Sequence, residues 1–134
     1  MKKMRYLDYD GFSWCCLHGG ANSVTYKKPL IDFLGHAKLA YWVNRMVLQP
    51  TLAGSHNVDV VYGPDDVLEP VIMHLGEDNT VSLDVIVKDM EGKEIQRKSY
   101  DGIPLKAGRN TVELEAFKPT FPNGGHYVIE YVIR

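Results

Sequence analysis

The chain has 134 residues, enough for one ordinary domain and too few for two full ones. It is 45% hydrophobic and 24% charged, and fifteen basic side chains against seventeen acidic ones leave no basic stripe for nucleic acid. No apolar run is long enough to span a membrane, and the opening MKKMRYLDYD lacks the apolar stretch of a signal peptide.

The first informative stretch is DGFSWCCLHGG, Asp10 to Gly20, which places Trp14, Cys15, Cys16 and His18 ahead of a glycine pair. A metal or redox site, an aromatic platform for a sugar, and the end of a buried strand all fit those residue types. Adjacent cysteines close only a strained disulfide ring. Cys-Cys-x-His also lacks the separated ligand pairs of structural zinc. Cys15 and Cys16 are therefore expected as reduced thiols in an apolar run, with no metal. The remaining histidines, His36, His56, His74 and His126, are scattered, and no cofactor fingerprint is present.

A helix is predicted within GHAKLAYWVNRMVLQP, between Gly35 and Pro50. Leu39, Val43, Met46 and Val47 fall on one stripe, with Trp42 and Leu48 to its sides. Only Lys38, Asn44, Arg45 and Gln49 are plainly hydrophilic, so the helix is apolar around most of its circumference. A small β domain covers one stripe of such a helix and little more. Each large apolar side chain left in water forfeits roughly 1.5–3 kcal/mol. Leu39, Trp42, Val43 and Met46 are therefore candidate interface residues, covered by the N-terminal segment folded back, by a second copy in a homodimer or by a missing part of a larger protein.

From about Asn57 the pattern changes to a period of two. TVSLDVIVKDM puts Val81, Leu83, Val85 and Val87 on one face, with Ser82, Asp84 and Lys88 on the other. TVELEAF places Val112, Leu114 and Ala116 opposite Glu113 and Glu115. HYVIEYVIR aligns Tyr127, Ile129, Tyr131 and Ile133. Weaker strands are NVDVVYG, EPVIMHLG and KEIQRKSY. Turn signals separate them: GPDD, GEDN, MEGK, KAGRN and PNGG. Asp89–Lys93 suits a tight hairpin with Gly92 at positive φ. Short strands at this spacing without helices predict a mainly β fold, an immunoglobulin-like antiparallel sandwich preceded by a strand/loop segment and one α-helix. The predicted division is 1–54 for that segment and 55–134 for the sandwich.

The first part of the chain resembles the end of the catalytic (β/α)8 barrel in family 2 glycoside hydrolases. The resemblance rests on Gly11 and Trp14 in a Gly-x-x-Trp pattern. Ile31, Asp32, Gly35, Lys38 and Tyr41 then match an Ile/Leu-Asp-x-x-Gly-x-x-Lys-x-x-Tyr stretch, and a helix and a sandwich follow. By motif it covers roughly residues 10 to 54, and beyond them the architecture alone. It implies that Trp14 lines the pocket around the sugar, where an indole face stacks on C–H groups. His18 is then a candidate polar contact beside it.

The departures limit that expectation. Retaining glycosidases need two carboxyl groups about 5–5.5 Å apart, and the family carries them on earlier barrel strands that have no counterpart here. A barrel needs about 250 residues. Glu113 and Glu115 share a strand face roughly 7 Å apart, but they alternate with apolar Val112 and Leu114 and read as a solvated outer face. Asp65, Asp66 and Glu69 supply too few oxygens for calcium, which takes six to eight, so GPDD reads as a turn.

The expectation is a non-catalytic accessory portion resembling a glycoside hydrolase, with a supporting role, a carbohydrate contact at Trp14 and His18, and no catalytic, cofactor or metal residues. The alternative is an independent carbohydrate-binding or adhesion sandwich, using aromatics drawn from Tyr62, Tyr100, Phe117, Phe121 and Tyr127.

Overall fold

The computed structural model describes residues 5, 17, 29–57 and 60–134. The chain forms two compact units, residues 1–49 and residues 50–134.

The second unit is an antiparallel β-sandwich. Its strands are β1 (Thr51–Ser55), β2 (Pro70–Gly76), β3 (Asn79–Lys88), β4 (Glu94–Leu105), β5 (Gly108–Glu113) and β6 (Val128–Ile133). One sheet has the order β1-β2-β5 and the other β4-β3-β6. Alternation on β3 works as the pattern predicts: Val81, Leu83 and Val85 join Ala53, Leu68, Ile72, Ile103 and Leu105 in the core between the sheets. Ile129, Tyr131 and Ile133 of β6 pack against the same cluster.

Turn chemistry closes the β3–β4 hairpin. Asp89 Oδ1 accepts the N–H groups of Glu91 (3.1 Å) and Lys93 (2.8 Å), and Gly92 takes φ 85°. Farther along, Val81 faces Ile103 but Leu83 faces Tyr100, so Asp101 and Gly102 together oppose one residue of β3. Gly102, at φ 63°, provides the left-handed residue of that bulge.

The long connection from β5 to β6 is pinned from two sides. Gln96 donates to Lys118 O (3.3 Å) and accepts from Thr120 N–H (2.6 Å). At its far end, Tyr127 Oη donates to Asn123 O (2.7 Å) and accepts from Asn123 N–H (3.1 Å). A tyrosine just before the strand, tied back to the main chain upstream, makes the same kind of bond as the tyrosine corner described for immunoglobulin-like sandwiches.

Among the buried polar side chains of the sandwich, His74 and Asp84 are both held by hydrogen bonds. His74 lies between Thr51 Oγ1 at Nδ1 and Glu77 O at Nε2, both 2.9 Å away. Because a carbonyl only accepts, Nε2 carries a proton, and in the neutral ring Nδ1 accepts from the Thr51 hydroxyl. Asp84 is 3% exposed on the outer face of β3, held by Arg97 (2.6 Å) and Arg134 (2.8 Å). Its carboxyl is held below the ordinary 3.8, first by a hydrogen bond from Ser99 and then by the two guanidinium groups.

Three local features differ from the sequence expectations. The described residues of Asn57–Gly63 form no strand, and Val60 and Val61 are 92% and 82% exposed. That segment's polar groups bond within the loop instead, Asn57 Nδ2 to Val67 O (2.8 Å) and Gly63 N–H to Asp66 Oδ2 (2.6 Å). The first strand is Thr51–Ser55, paired with β2, so the second unit begins at Pro50 rather than at residue 55. After Leu114 the chain leaves the strict alternation. Ala116 is exposed, while Phe117 pairs with Leu68 through N–H···O bonds of 2.8 and 3.0 Å and packs on the core.

Asp84→Asn should lower Tm by several degrees at neutral pH. Since the folded carboxyl titrates below 3.8, its contribution is present above that value and is lost as pH falls through the folded value. Thermal melts from pH 7 to pH 2 should therefore show the wild-type and variant curves converging at the acid end. Leu83→Ala, at a site with no exposed surface, should cost about 2–5 kcal/mol in urea titrations.

Candidate interaction surface

In the first unit, the described residues from Pro29 onward build a tight loop and then a helix. Ile31 and Ala37 form an antiparallel bridge. Asp32 organises the turn between them, its Oδ1 accepting the N–H groups of Leu34 (2.9 Å) and His36 (2.8 Å). The His36 N–H bond is the first cause that holds the Asp32 carboxyl below its ordinary value, and His36 Nδ1 sits 3.1 Å from its other oxygen. Gly35 takes φ 91°, a conformation that L side chains rarely adopt. Asp32 and Gly35 of the Asp-x-x-Gly stretch thus have a local structural purpose: they return the chain so that Lys38 N–H reaches Leu30 O (2.9 Å) and the helix can begin.

Helix α1 spans Leu39–Val47. Its buried side is Asn44 and Val47, with Ala40 and Tyr41 half-buried. Asn44 satisfies its amide by donating from Nδ2 to Ala40 O at 2.8 Å. At the C-terminal end, Arg5 Nη1 lies 2.6 Å from both Val47 O and Gln49 O. A guanidinium there satisfies terminal carbonyls and opposes the negative end of the helix dipole.

The opposite side is apolar and faces solvent. Leu39 is 80% exposed, Trp42 51%, Val43 44% and Met46 47%. These positions run i, i+3, i+4, i+7, one continuous stripe. The sequence reading put Val47 on this stripe and Trp42 beside it; in the structure Val47 turns away with Asn44 and Trp42 takes the place. Trp42 is braced by Tyr41, edge-on at 5.3 Å between ring centroids, and by the Arg45 guanidinium 5.7 Å from its ring. Phe33 and Leu34, in the loop before the helix, are also exposed.

Trp14 and His18, the candidate sugar contacts, lie outside the described residues, as do Cys15 and Cys16. Glu113 and Glu115 are exposed, and Glu115 pairs with Lys98 at 2.9 Å. Asp66 closes the turn at Gly63, and Asp65 lies 3.2 Å from Lys118 Nζ. Among the described residues no group of three or more His, Cys, Asp or Glu could hold a metal ion.

In the second unit a shallow cleft of about 210 Å³ is lined by Asn57, Val61, Tyr62, Asp65, Asp66 and Val67. Its aromatic ring is committed to packing. Tyr62 packs on the core and lies 6.0 Å from Phe121, which lies 4.9 Å from Tyr127. Tyr100 and Phe117 also pack on the core. The Tyr100 hydroxyl donates to Glu115 O (2.6 Å), and burial, followed by the Glu115 charge, pushes its pKa up to about 12. The apolar stripe on α1 is therefore the described surface least explained by the packing of its own unit.

No family model matches the chain, and no curated protein matches it.

Gly35→Ala has open space for its Cβ but must hold φ 91°, so it should cost roughly 1–2 kcal/mol. Urea titration of the variant against wild type checks this.

Proposed function

We propose that this chain is a non-catalytic accessory portion resembling a family 2-type glycoside hydrolase. Residues up to 49 would stand for the last barrel strand and helix, and the sandwich from Pro50 onward for the accessory domain that follows. Trp14 and His18 would contact sugar at the pocket rim. The observation that carries this reading is the stripe of Leu39, Trp42, Val43 and Met46, apolar and exposed on a helix whose other side is already buried. A helix that packs between a barrel and its neighbour needs two apolar sides, whereas a helix at the surface of a self-sufficient domain needs one. The Asp32–Gly35 turn and the order loop, helix, sandwich support the same reading.

Without a barrel to cover it, the stripe is self-complementary material for a two-fold dimer. Burying four such side chains is worth on the order of several kcal/mol per copy. The alternative, an independent carbohydrate-binding or adhesion module, would use the sandwich aromatics. It is disfavoured because Tyr62, Tyr100 and Phe117 pack against the core.

Sedimentation tests the stripe. Wild type should be a dimer at micromolar concentration, and Trp42→Glu should shift it toward monomer with an unchanged circular dichroism spectrum. A wild-type monomer would overturn the interface assignment. The absence of chemistry is tested with aryl glycosides, on which the chain should show no turnover. Turnover that disappears in Glu113→Gln would refute the accessory reading.

A further inference from the structure

The loop that leads into β6 reads Pro122-Asn123-Gly124-Gly125, and Asn123 through Gly125 are exposed. An asparagine followed by glycine carries its own electrophile and nucleophile. The covalent spacing lets the side-chain amide carbon Cγ of Asn123 and the main-chain nitrogen of Gly124 close a five-membered ring, and glycine has no Cβ to obstruct the approach. The surroundings are open as well: apart from the flanking residues, no atom lies within 4 Å of where a Cβ on Gly124 would stand.

One side chain opposes the closure. The Tyr127 hydroxyl holds Asn123 at both main-chain polar atoms, accepting from its N–H (3.1 Å) and donating to its carbonyl oxygen (2.7 Å). Ring closure requires rotation about the Asn123 Cα–C bond until the Gly124 nitrogen faces Cγ, a ψ outside the α and β ranges of L-residues. That rotation swings the Asn123 carbonyl oxygen off the Tyr127 hydroxyl.

We propose that Asn123–Gly124 is a site of spontaneous succinimide formation whose rate in the folded protein is set by the Tyr127 hydroxyl. The Gly124 nitrogen gives up its proton and bonds to Asn123 Cγ. The Cγ–Nδ2 bond breaks, and Nδ2 leaves with that proton as ammonia. Water then opens the five-membered imide. Attack at the side-chain carbonyl gives an aspartyl residue at position 123. Attack at the main-chain carbonyl gives an isoaspartyl residue, with one extra methylene in the backbone. No electrons are transferred, and water is the sole co-reactant. Either product places a new carboxylate in the loop, and the isoaspartyl form also displaces the carbonyl that Tyr127 holds.

The experiment incubates the full chain in mildly alkaline buffer and follows the peptide containing Asn123 by mass spectrometry, with enzymatic methylation to count isoaspartyl groups. Folded wild type should convert more slowly than the same chain in urea. Tyr127→Phe, while folded, should convert about fivefold faster than wild type, the factor that one net hydrogen bond supplies. Both products should appear, and Gly124→Ala should slow the reaction in buffer and in urea. Equal rates for folded and urea-unfolded wild type would overturn the proposal. So would a folded Tyr127→Phe chain that reacts at the wild-type rate, or a product that is aspartyl alone. Should Tyr127→Phe fail to fold, the comparison of folded with unfolded wild type decides.

Discussion

Strand β3 is hydrogen-bonded along both edges, to β4 on one side and β6 on the other, and most of the sandwich follows from that. A strand in this position leaves no edge for water, so its main-chain groups must be satisfied within the sheet. The inner face packs Val81, Leu83 and Val85 against the opposing sheet. On the outer face Ile86 is buried beside Asp84, and charge ties the strands together. Asp84 draws Arg97 from β4 and Arg134 from beyond β6 onto one carboxylate, while Lys88 meets Glu130 at 2.6 Å. The three strands are thus tied together by side chains as well as by the ladder. Removing the shared carboxylate would leave two guanidinium groups facing each other without it.

The first unit solves its polar problems differently. Its helix has no side-chain N-cap, and its entry is set by the bridge at Ile31 and Ala37 and the Asp32 turn. Its exit is set by Arg5, far away in sequence. The entry is therefore fixed by the turn just before the helix, and the exit is reinforced by a contact from far away in sequence, so the helix depends on its surroundings more than its composition suggests. The stripe of Leu39, Trp42, Val43 and Met46 is a second dependence of the same sort.

The sequence announces the parts of the fold in which one physical signal acts alone. β3, β6 and the Asp89–Lys93 hairpin are legible because alternation and a glycine turn agree there. β1 was hidden because Thr51–Ser55 offers only Leu52 and Ala53 as apolar residues. It is a strand by virtue of its pairing with β2, and no window of sequence can display a partner. The reverse holds at Val60 and Val61, whose side chains are strand-like in type but have no sheet to join. For the helix, composition correctly signalled an excess of apolar surface. It could not say that Asn44, a polar residue, would share the buried side with Val47, because that depends on the amide folding back onto Ala40 O. The Tyr127 tie escaped for a similar reason: Tyr127 fits the strand's periodicity, and nothing in that pattern reveals a bond to Asn123.

The strand order also bears on how the sandwich assembles. β3 and β4 are the one strand pair joined by a tight turn. β1 meets β2 only across residues 56–69, β2 meets β5 across the whole hairpin, and β3 meets β6 after the chain has passed through both sheets. Loop closure costs more entropy as the loop lengthens, and hairpins close in microseconds whereas distant strands must wait for the chain to find them. The turn held by Asp89 and Gly92 therefore joins the central strand to a neighbour across the shortest loop of any strand pair in the sandwich, and the remote pairings of β3 and β2 carry the larger closure entropy.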